Sequence, residues 1–217
     1  MLRSMLGLFL LAGTFTCYSG VEIGGSRVIY NGEAKQASMS VTNPDDRPYL
    51  IQSWVDKNPS AGDGDNTFIT TPPLFRLEPH SQNSVRIVYT GKPLATDRGS
   101  MLWLSIKSVP STSRDDANRL FITDKSVFKL FYRPPGLRGY PARAYESIIF
   151  SRRNGRNLVS NPTPYHISFY ELAIGNFRVI TLTTLEPLME KEITVPVNAG
   201  SSVTGRALND SGGVTDG

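Results

Sequence analysis

Hydrophobic and polar positions alternate in short runs from Val21 onward, and Gly, Asn and Pro separate these runs. A period of two is typical of β-strands with one buried face, whereas no segment before Pro134 shows the helical period. The predicted strands are 27–30, 37–42, 49–55, 84–89, 101–109 and 120–132, followed by 148–150, 165–170, 177–182 and 193–195. The pattern therefore indicates an all-β protein, and it makes Trp54 a candidate for the core.

A Pro- and Gly-rich segment divides these strands into two groups. Three Pro and two Gly fall within Pro134–Pro141, which is typical of a stiff bend between modules. We expect an N-terminal domain of residues 21–136 and a C-terminal domain of residues 137–217. Both are near the size of about 100 residues that is usual for an immunoglobulin-like β-sandwich.

The first twenty residues have a different pattern. One early Arg precedes an apolar run from Met5 to Ala12, and small or polar residues follow, which is the layout of a secretory signal peptide. The run is too short to span a bilayer, which takes about 20 residues. We expect residues 1–20 to be an export signal, cleaved near Ser19 or Gly20. Cleavage removes the only Cys and one Arg, and it lowers the formal net charge from +4 to +3.

Composition and motifs argue against an enzyme. Two His and a single Cys leave no ligand set for a zinc centre, and neither a nucleophile elbow nor a His-Glu-x-x-His motif is present. The Asp63–Asn66 segment lacks the central Gly and terminal Glu of a calcium loop. The positive residues are scattered, which speaks against a nucleic-acid partner. We expect no metal, no cofactor and no catalytic residue.

Several strings resemble the periplasmic pilus (fimbrial) assembly chaperones, the PapD-like family. They are 26–30, 43–44, 52–54, 71–79, 85–93, 102–104, 129–134, 161–165 and 208–213, in the order of the family and over nearly the whole mature chain. The resemblance implies two immunoglobulin-like β-sandwich domains arranged as a boomerang. It also implies a periplasmic protein that holds pilus subunits lacking a final strand, donates an edge strand to them, and delivers them to an outer-membrane usher.

The resemblance assigns donor positions on the run that precedes Lys129. The family's alternating donor residues correspond here to Leu120, Ile122 and Asp124. Asp124 departs from the family, which usually has an apolar residue at this position, and a charge does not enter a dry groove without a partner. Three alternatives stay open: the register slips, the third pocket is unused, or the subunit offers a cation.

Two further pairs follow from the resemblance. Arg27 and Lys129 correspond to the basic residues that grip the terminal carboxylate of the subunit in the cleft between the domains. Arg133 and Asp210 correspond to an interdomain ion pair that in the family includes a Glu, and Gly99 stands at that position here. A reduced network is therefore expected. The short stretch between Val109 and Leu120 resembles the short-loop branch of the family.

An exported structural or adhesive pilus component is the alternative function. Such a subunit usually carries its own N-terminal donor extension and a disulfide, whereas the mature chain has no Cys and begins with the short segment Val21–Gly25. An exposed apolar edge also makes self-association of the free chaperone an expectation.

Overall fold

The computed structural model describes residues 20–60, 65–111, 122–179, 184–193 and 202–215. The first part contains β1 (Glu22–Ile23), β2 (Arg27–Asn31), β3 (Ala37–Asn43), β4 (Tyr49–Asp56), β5 (Phe68–Thr71), β6 (Leu74–Leu77), β7 (Ser81–Tyr89), β8 (Ser100–Pro110) and β9 (Asp124–Arg133). A 3-10 helix, Pro141–Ser147, follows. The second part contains β10 (Ile149–Arg153), β11 (Arg156–Asn161), β12 (Ile167–Ile174), β13 (Phe177–Arg178), β14 (Thr184–Leu185), β15 (Met189–Ile193) and β16 (Val203–Leu208).

The first nine strands form a β-sandwich. One sheet has the order β1-β3-β7-β5, and the other has the order β2-β9-β8-β4-β6. The inward side chains of both sheets make one continuous core, with Val41 and Ile87 from the first sheet and Ile51, Leu104 and Leu130 from the second, all fully buried. Because only every second residue of a strand faces the partner sheet, the alternation in the sequence matches this burial directly.

The remaining strands form a second, smaller sandwich. Strands β10, β11 and β15 make one sheet, and β12 pairs with β13, β14 and β16 in the other. Val159, Leu172, Leu185 and Ile193 are the buried side chains that join the two sheets. The all-β, two-sandwich prediction is therefore confirmed.

The chain changes sheets between β1 and β2. Strand β1 pairs with β3 in one sheet, and β2 pairs with β9 in the other. Gly25 lies at the crossing with φ of +148°, a conformation that a residue with a Cβ rarely adopts. The parallel pairing of β2 with β9 starts only at Arg27 opposite Lys129, so β2 covers just the second half of β9.

Two expectations need correction. Trp54 does not lie in the core: Tyr49, Ile51 and Val55 face inward on β4, and Trp54 points outward, where its ring lies 5.1 Å from the Lys125 ammonium. Of the predicted strand 120–132, residues 120–121 lie outside the described residues, Ile122 and Thr123 have no strand pairing, and β9 begins at Asp124. Strands β1, β5, β6, β11, β14 and β16 were not among the predicted elements, and β15 meets the predicted strand 193–195 only at Ile193.

Candidate functional site

Strand β9 carries an unpaired edge along its first half. On one side it pairs with β8 from Asp124 to Tyr132, and on the other it pairs with β2 only from Lys129 onward. Among the described residues, no strand pairs with residues 124–128 on the β2 side. The backbone N–H and C=O groups there are available to another chain over about 16 Å, at about 3.3 Å per residue.

Alternation gives the two faces of β9 different surroundings. Phe128, Leu130 and Tyr132 face the core of the first sandwich. Ile122, Asp124 and Ser126 continue this face beyond the core toward solvent. A strand added at the free edge would therefore meet side chains that extend the inner face of the sandwich.

Arg27 and Lys129 end the free edge. They stand directly opposite each other in the β2–β9 pair, and both are partly buried. The Lys129 ammonium donates a hydrogen bond to the hydroxyl of Thr184, which belongs to the second sandwich. The Arg27 guanidinium lies 6.0 Å from the centre of the Phe131 ring, and its buried Nε has no hydrogen-bond acceptor among the residues that the structure describes. An unsatisfied buried donor beside a second cation favours an anionic ligand.

Burial and like charge act on both cations. Burial, and then the nearby Arg27 charge, lowers the pKa of Lys129. Burial also lowers the pKa of Arg27, although Asp210 opposes this shift. In the part of the chain that the structure describes, no carboxylate forms an ion pair with either group. A carboxylate brought between them would relieve their repulsion and accept hydrogen bonds from both.

The two sandwiches contact each other beside these cations. Arg133 makes a two-pronged ion pair with Asp210, with nitrogen–oxygen distances of 2.7 and 2.6 Å. Its guanidinium also lies 5.5 Å from the centre of the Tyr165 ring. At Gly99, where the resemblance leads one to expect a Glu, the backbone N–H donates to the carbonyl of Pro164 at 2.8 Å. The position without a carboxylate therefore still joins the two sandwiches, through the backbone.

His166 is a member of the cleft that the sequence analysis missed. Its ring centre lies 5.4 Å from that of Phe131, across the interface between the two sandwiches. Burial lowers its pKa to about 4, with Lys129 and Arg133 lowering it further and Glu186 opposing them. At neutral pH the ring is uncharged. Thr184 was missed as well, because a lone Thr carries no sequence signal.

The predicted site residues are distributed as follows. Arg27, Arg133 and Asp210 line one cavity of about 30 Å³ between the sandwiches. Lys129 stands beside it, opposite Arg27 and bonded to Thr184. Ile122 precedes β9 with 75% of its surface exposed. Asp124 begins β9, is exposed, and accepts a hydrogen bond from the Ser126 hydroxyl at 3.0 Å. Leu120 and most of the short loop lie outside the described residues.

Nothing in the described ranges indicates a metal site or a membrane span. No three His, Cys, Asp or Glu side chains among these residues lie close enough together to hold a metal ion. None of their helices is sufficiently long and apolar to cross a bilayer. The chemistry that the arrangement supports is recognition, by backbone hydrogen bonds at a strand edge and by two cations.

Two family models together match nearly the whole chain after the predicted signal. The N-terminal domain model of PapD, a pili and flagellar-assembly chaperone, matches residues 20–138. The C-terminal domain model of the pili assembly chaperone PapD matches residues 143–217.

Individual relatives agree with these models. The chain is 40% identical over 200 residues to the probable fimbrial chaperone protein ElfD of Escherichia coli O157:H7, covering 90% of this chain and 84% of ElfD. It is 38% identical over 201 residues to the chaperone protein FimC of Escherichia coli K12, covering 91% and 82%. The solved complex of the SafA pilin with the SafB chaperone of Salmonella enterica matches with a TM-score of 0.80 at 31% identity, covering 93% of this chain and 95% of the matched chain. The chain belongs to the family of PapD-like pilus-assembly chaperones, which are not enzymes.

Proposed function

We propose that this protein binds pilus subunits in the periplasm by lending them the free edge of β9, and that Arg27 and Lys129 anchor the C-terminal carboxylate of the subunit. The observation that carries this proposal is the meeting of an unpaired strand edge with two partly buried cations. The family match supports a chaperone over the alternative of a structural pilus component.

The proposed carboxylate anchor implies a direction for the subunit strand. Strand β2 runs parallel to β9 and begins at Arg27. A second strand that lies beside residues 124–128 and runs the same way ends at Arg27, in line with β2. Its C-terminal carboxylate then reaches the Arg27 guanidinium and the Lys129 ammonium, which supports the assigned anchor role.

Donation satisfies two needs of the subunit. A sandwich without its last strand exposes an apolar groove and an unpaired strand edge, both of which promote aggregation. The edge of β9 supplies hydrogen-bonding partners, and we assign Ile122 and Asp124, together with Leu120 outside the described residues, as the donor residues for the groove. No cofactor or ATP is needed for this exchange of noncovalent contacts.

Delivery requires an exported protein and a second partner. We propose that residues 1–20 direct export, that the domains divide after Gly136, and that an outer-membrane usher receives the loaded complex. These proposals rest on the family, whose members act in the periplasm. We also propose that the free edge of β9 pairs with a second copy when no subunit is bound, which sedimentation of the unloaded protein tests.

Co-expression tests the main proposal. The exported small β-proteins encoded beside this chain are produced one at a time, with and without it, and their soluble periplasmic yield is measured. We expect subunits that lack a final strand to survive only with the chaperone and to co-purify with it. Equal yields with and without this chain would contradict the chaperone function.

A further inference from the structure

In the proposed function, side chains on the inner face of β9 enter an apolar groove of the subunit from which water is excluded. One of these positions carries a polar side chain. Asp124 lies on the same face as Phe128 and Leu130, two and three alternations further along the strand. Ile122, the donor position before it, is apolar and largely exposed. A side chain with a full negative charge therefore follows an apolar anchor on the face that a bound subunit has to cover.

Among the described residues, no cation pairs with the carboxylate of Asp124. Its one hydrogen-bond donor among the described residues is the Ser126 hydroxyl, at 3.0 Å. Lys125 lies on the opposite face of β9, where its ammonium donates to the Pro59 carbonyl at 3.1 Å and lies 5.1 Å from the centre of the Trp54 ring. Within the described ranges no Lys or Arg makes an ion pair with Asp124.

The fixed spacing of Asp124 and Lys129 on β9 makes a slip of the subunit strand's register unfavourable. The carboxylate anchor at Lys129 and the donor position at Asp124 are five residues apart on one continuous strand, or about 16 Å. A slip of one residue would turn Ile122 and Asp124 away from the groove and insert Thr123 and Lys125. If Arg27 and Lys129 hold the end of the subunit strand, Asp124 comes to lie beside the subunit residue about five positions before its C-terminus.

We propose that Asp124 is a specificity-determining residue that selects pilus subunits with a Lys or Arg in the groove. This cation would lie beside the subunit residue about five positions before the subunit's C-terminus. The proposal rests on the proposed function, since it requires the subunit strand to lie beside β9. Burying a lone carboxylate is unfavourable, whereas a buried carboxylate paired with a cation is held in place and rejects subunits that are apolar at this level. Ser126 supports the pair by orienting the carboxylate.

The test uses the subunit that the wild-type chaperone retains in co-expression. Asp124→Asn and Asp124→Leu are compared with the wild type and with Asp46→Asn, which changes a fully exposed Asp on the turn after β3. The half-life of the purified complex is measured by exchange of its bound subunit for labelled free subunit, at a series of NaCl concentrations from low to high. We expect Asp46→Asn to behave like the wild type, and both Asp124 variants to dissociate about tenfold to a hundredfold faster at low salt, with a weaker salt dependence.

A charge reversal checks the partner directly. Asp124→Lys is expected to lose the subunit, and replacing the Lys or Arg of the subunit at the stated level by Glu is expected to restore capture. The proposal is overturned if Asp124→Leu holds the subunit as long as the wild type or longer, or if no acidic replacement restores capture. Lys129→Met distinguishes a failure of this inference from a failure of the proposed function. If Lys129→Met loses the subunit but the Asp124 variants retain it like the wild type, only the role of Asp124 is rejected. If Lys129→Met also retains the subunit, the carboxylate anchor of the proposed function is rejected as well.

Discussion

Arg27 and Lys129 lie opposite each other in a parallel strand pair, so two like charges share one partly buried cleft. Their neighbours hold them without neutralising them: Thr184 accepts a hydrogen bond from Lys129, and the ring of Phe131 lies 6.0 Å from the Arg27 guanidinium. Burial lowers the pKa of each group. A carboxylate between the two cations would offset their repulsion, which supports the proposed anchor role.

Lys129→Met separates binding from stability. Met keeps the length and apolar stem of Lys, and it removes the charge that burial and Arg27 disfavour. We expect loss of subunit capture together with a free energy of unfolding that is unchanged or raised. Capture is measured by co-purification, and stability by denaturant unfolding of the free chain.

Lys35→Met is the matched control, because Lys35 is exposed and does not line the cavity between the sandwiches. It is expected to change neither property. Wild-type capture by Lys129→Met would show that the cation is not the anchor, and a large loss of stability would show that its role is structural.

The Arg133–Asp210 pair is expected to hold the two sandwiches together. Both oxygens of Asp210 accept hydrogen bonds from Arg133, whose side chain is only 19% exposed. We expect a double-mutant cycle with Arg133→Gln and Asp210→Asn to give a coupling energy of about 1 kcal/mol in thermal unfolding. Small-angle scattering should show a wider range of interdomain arrangements in either variant.

The neighbouring pair Arg98–Asp97 provides the control, because both of its side chains are well exposed. The same cycle with Arg98→Gln and Asp97→Asn is expected to give no measurable coupling. If the two cycles agree, the Arg133–Asp210 pair contributes nothing beyond an ordinary surface ion pair.

Two buried Asn residues occupy equivalent places in the two sandwiches. The Asn43 amide donates to the carbonyl of residue 47, and its oxygen accepts from the N–H of residue 45, at 2.8 and 3.0 Å. Asn161 repeats this arrangement with residues 165 and 163, at 2.7 and 3.0 Å. Both precede a Pro and end a strand, so their side chains satisfy backbone groups at a turn that has no ladder partner.

Asn161→Ala is therefore expected to destabilise the second sandwich. The substitution leaves several buried backbone groups without partners, and we expect it to lower the free energy of unfolding by about 2 to 3 kcal/mol. Asn83→Ala is the control, because the Asn83 side chain is exposed and accepts a hydrogen bond from the adjacent N–H of Ser84. Equal effects of the two substitutions in denaturant unfolding would contradict this account.

The sequence was most informative where one strand face is buried. Alternation predicted β3, β4 and β8 nearly to the residue, because a buried face repeats every second position. The large apolar side chain of Trp54 suggested a core position, but the two-residue period of the strand contradicts it. Ser53, not Trp54, shares the buried face with Ile51 and Val55. Strands such as β15, with four of its five residues exposed, have no apolar signature to detect.

Some residues of the candidate site could be predicted from the sequence and others could not. Arg27 and Lys129 were assigned by resemblance, and the β2–β9 register places them together. Thr184 and His166 could not be assigned to the cleft, because their roles depend on how the second sandwich contacts the first. Interdomain contacts leave no periodicity in either strand, so pattern analysis alone does not reveal them.

His166 is expected to make stability depend on pH. Its pKa is about 6.5 when the chain is unfolded and about 4 when burial beside Phe131 excludes charge. Between these values the unfolded chain binds more protons than the folded chain, so stability is full above pH 6.5 and falls as the pH is lowered toward 4. The shift corresponds to about 3 kcal/mol.

The contribution of His166 is obtained by difference, because carboxylates also titrate in this range. His166→Phe keeps an aromatic ring against Phe131 and removes the titrating group, so the wild type should lose about 3 kcal/mol more than this variant between pH 6.5 and 4. His80→Gln replaces an exposed His in the first sandwich and serves as the control, because its free energy of unfolding should depend on pH as that of the wild type does. Parallel curves for the wild type and His166→Phe would show that His166 is not protected from protonation, and hence that the cleft admits water to this ring.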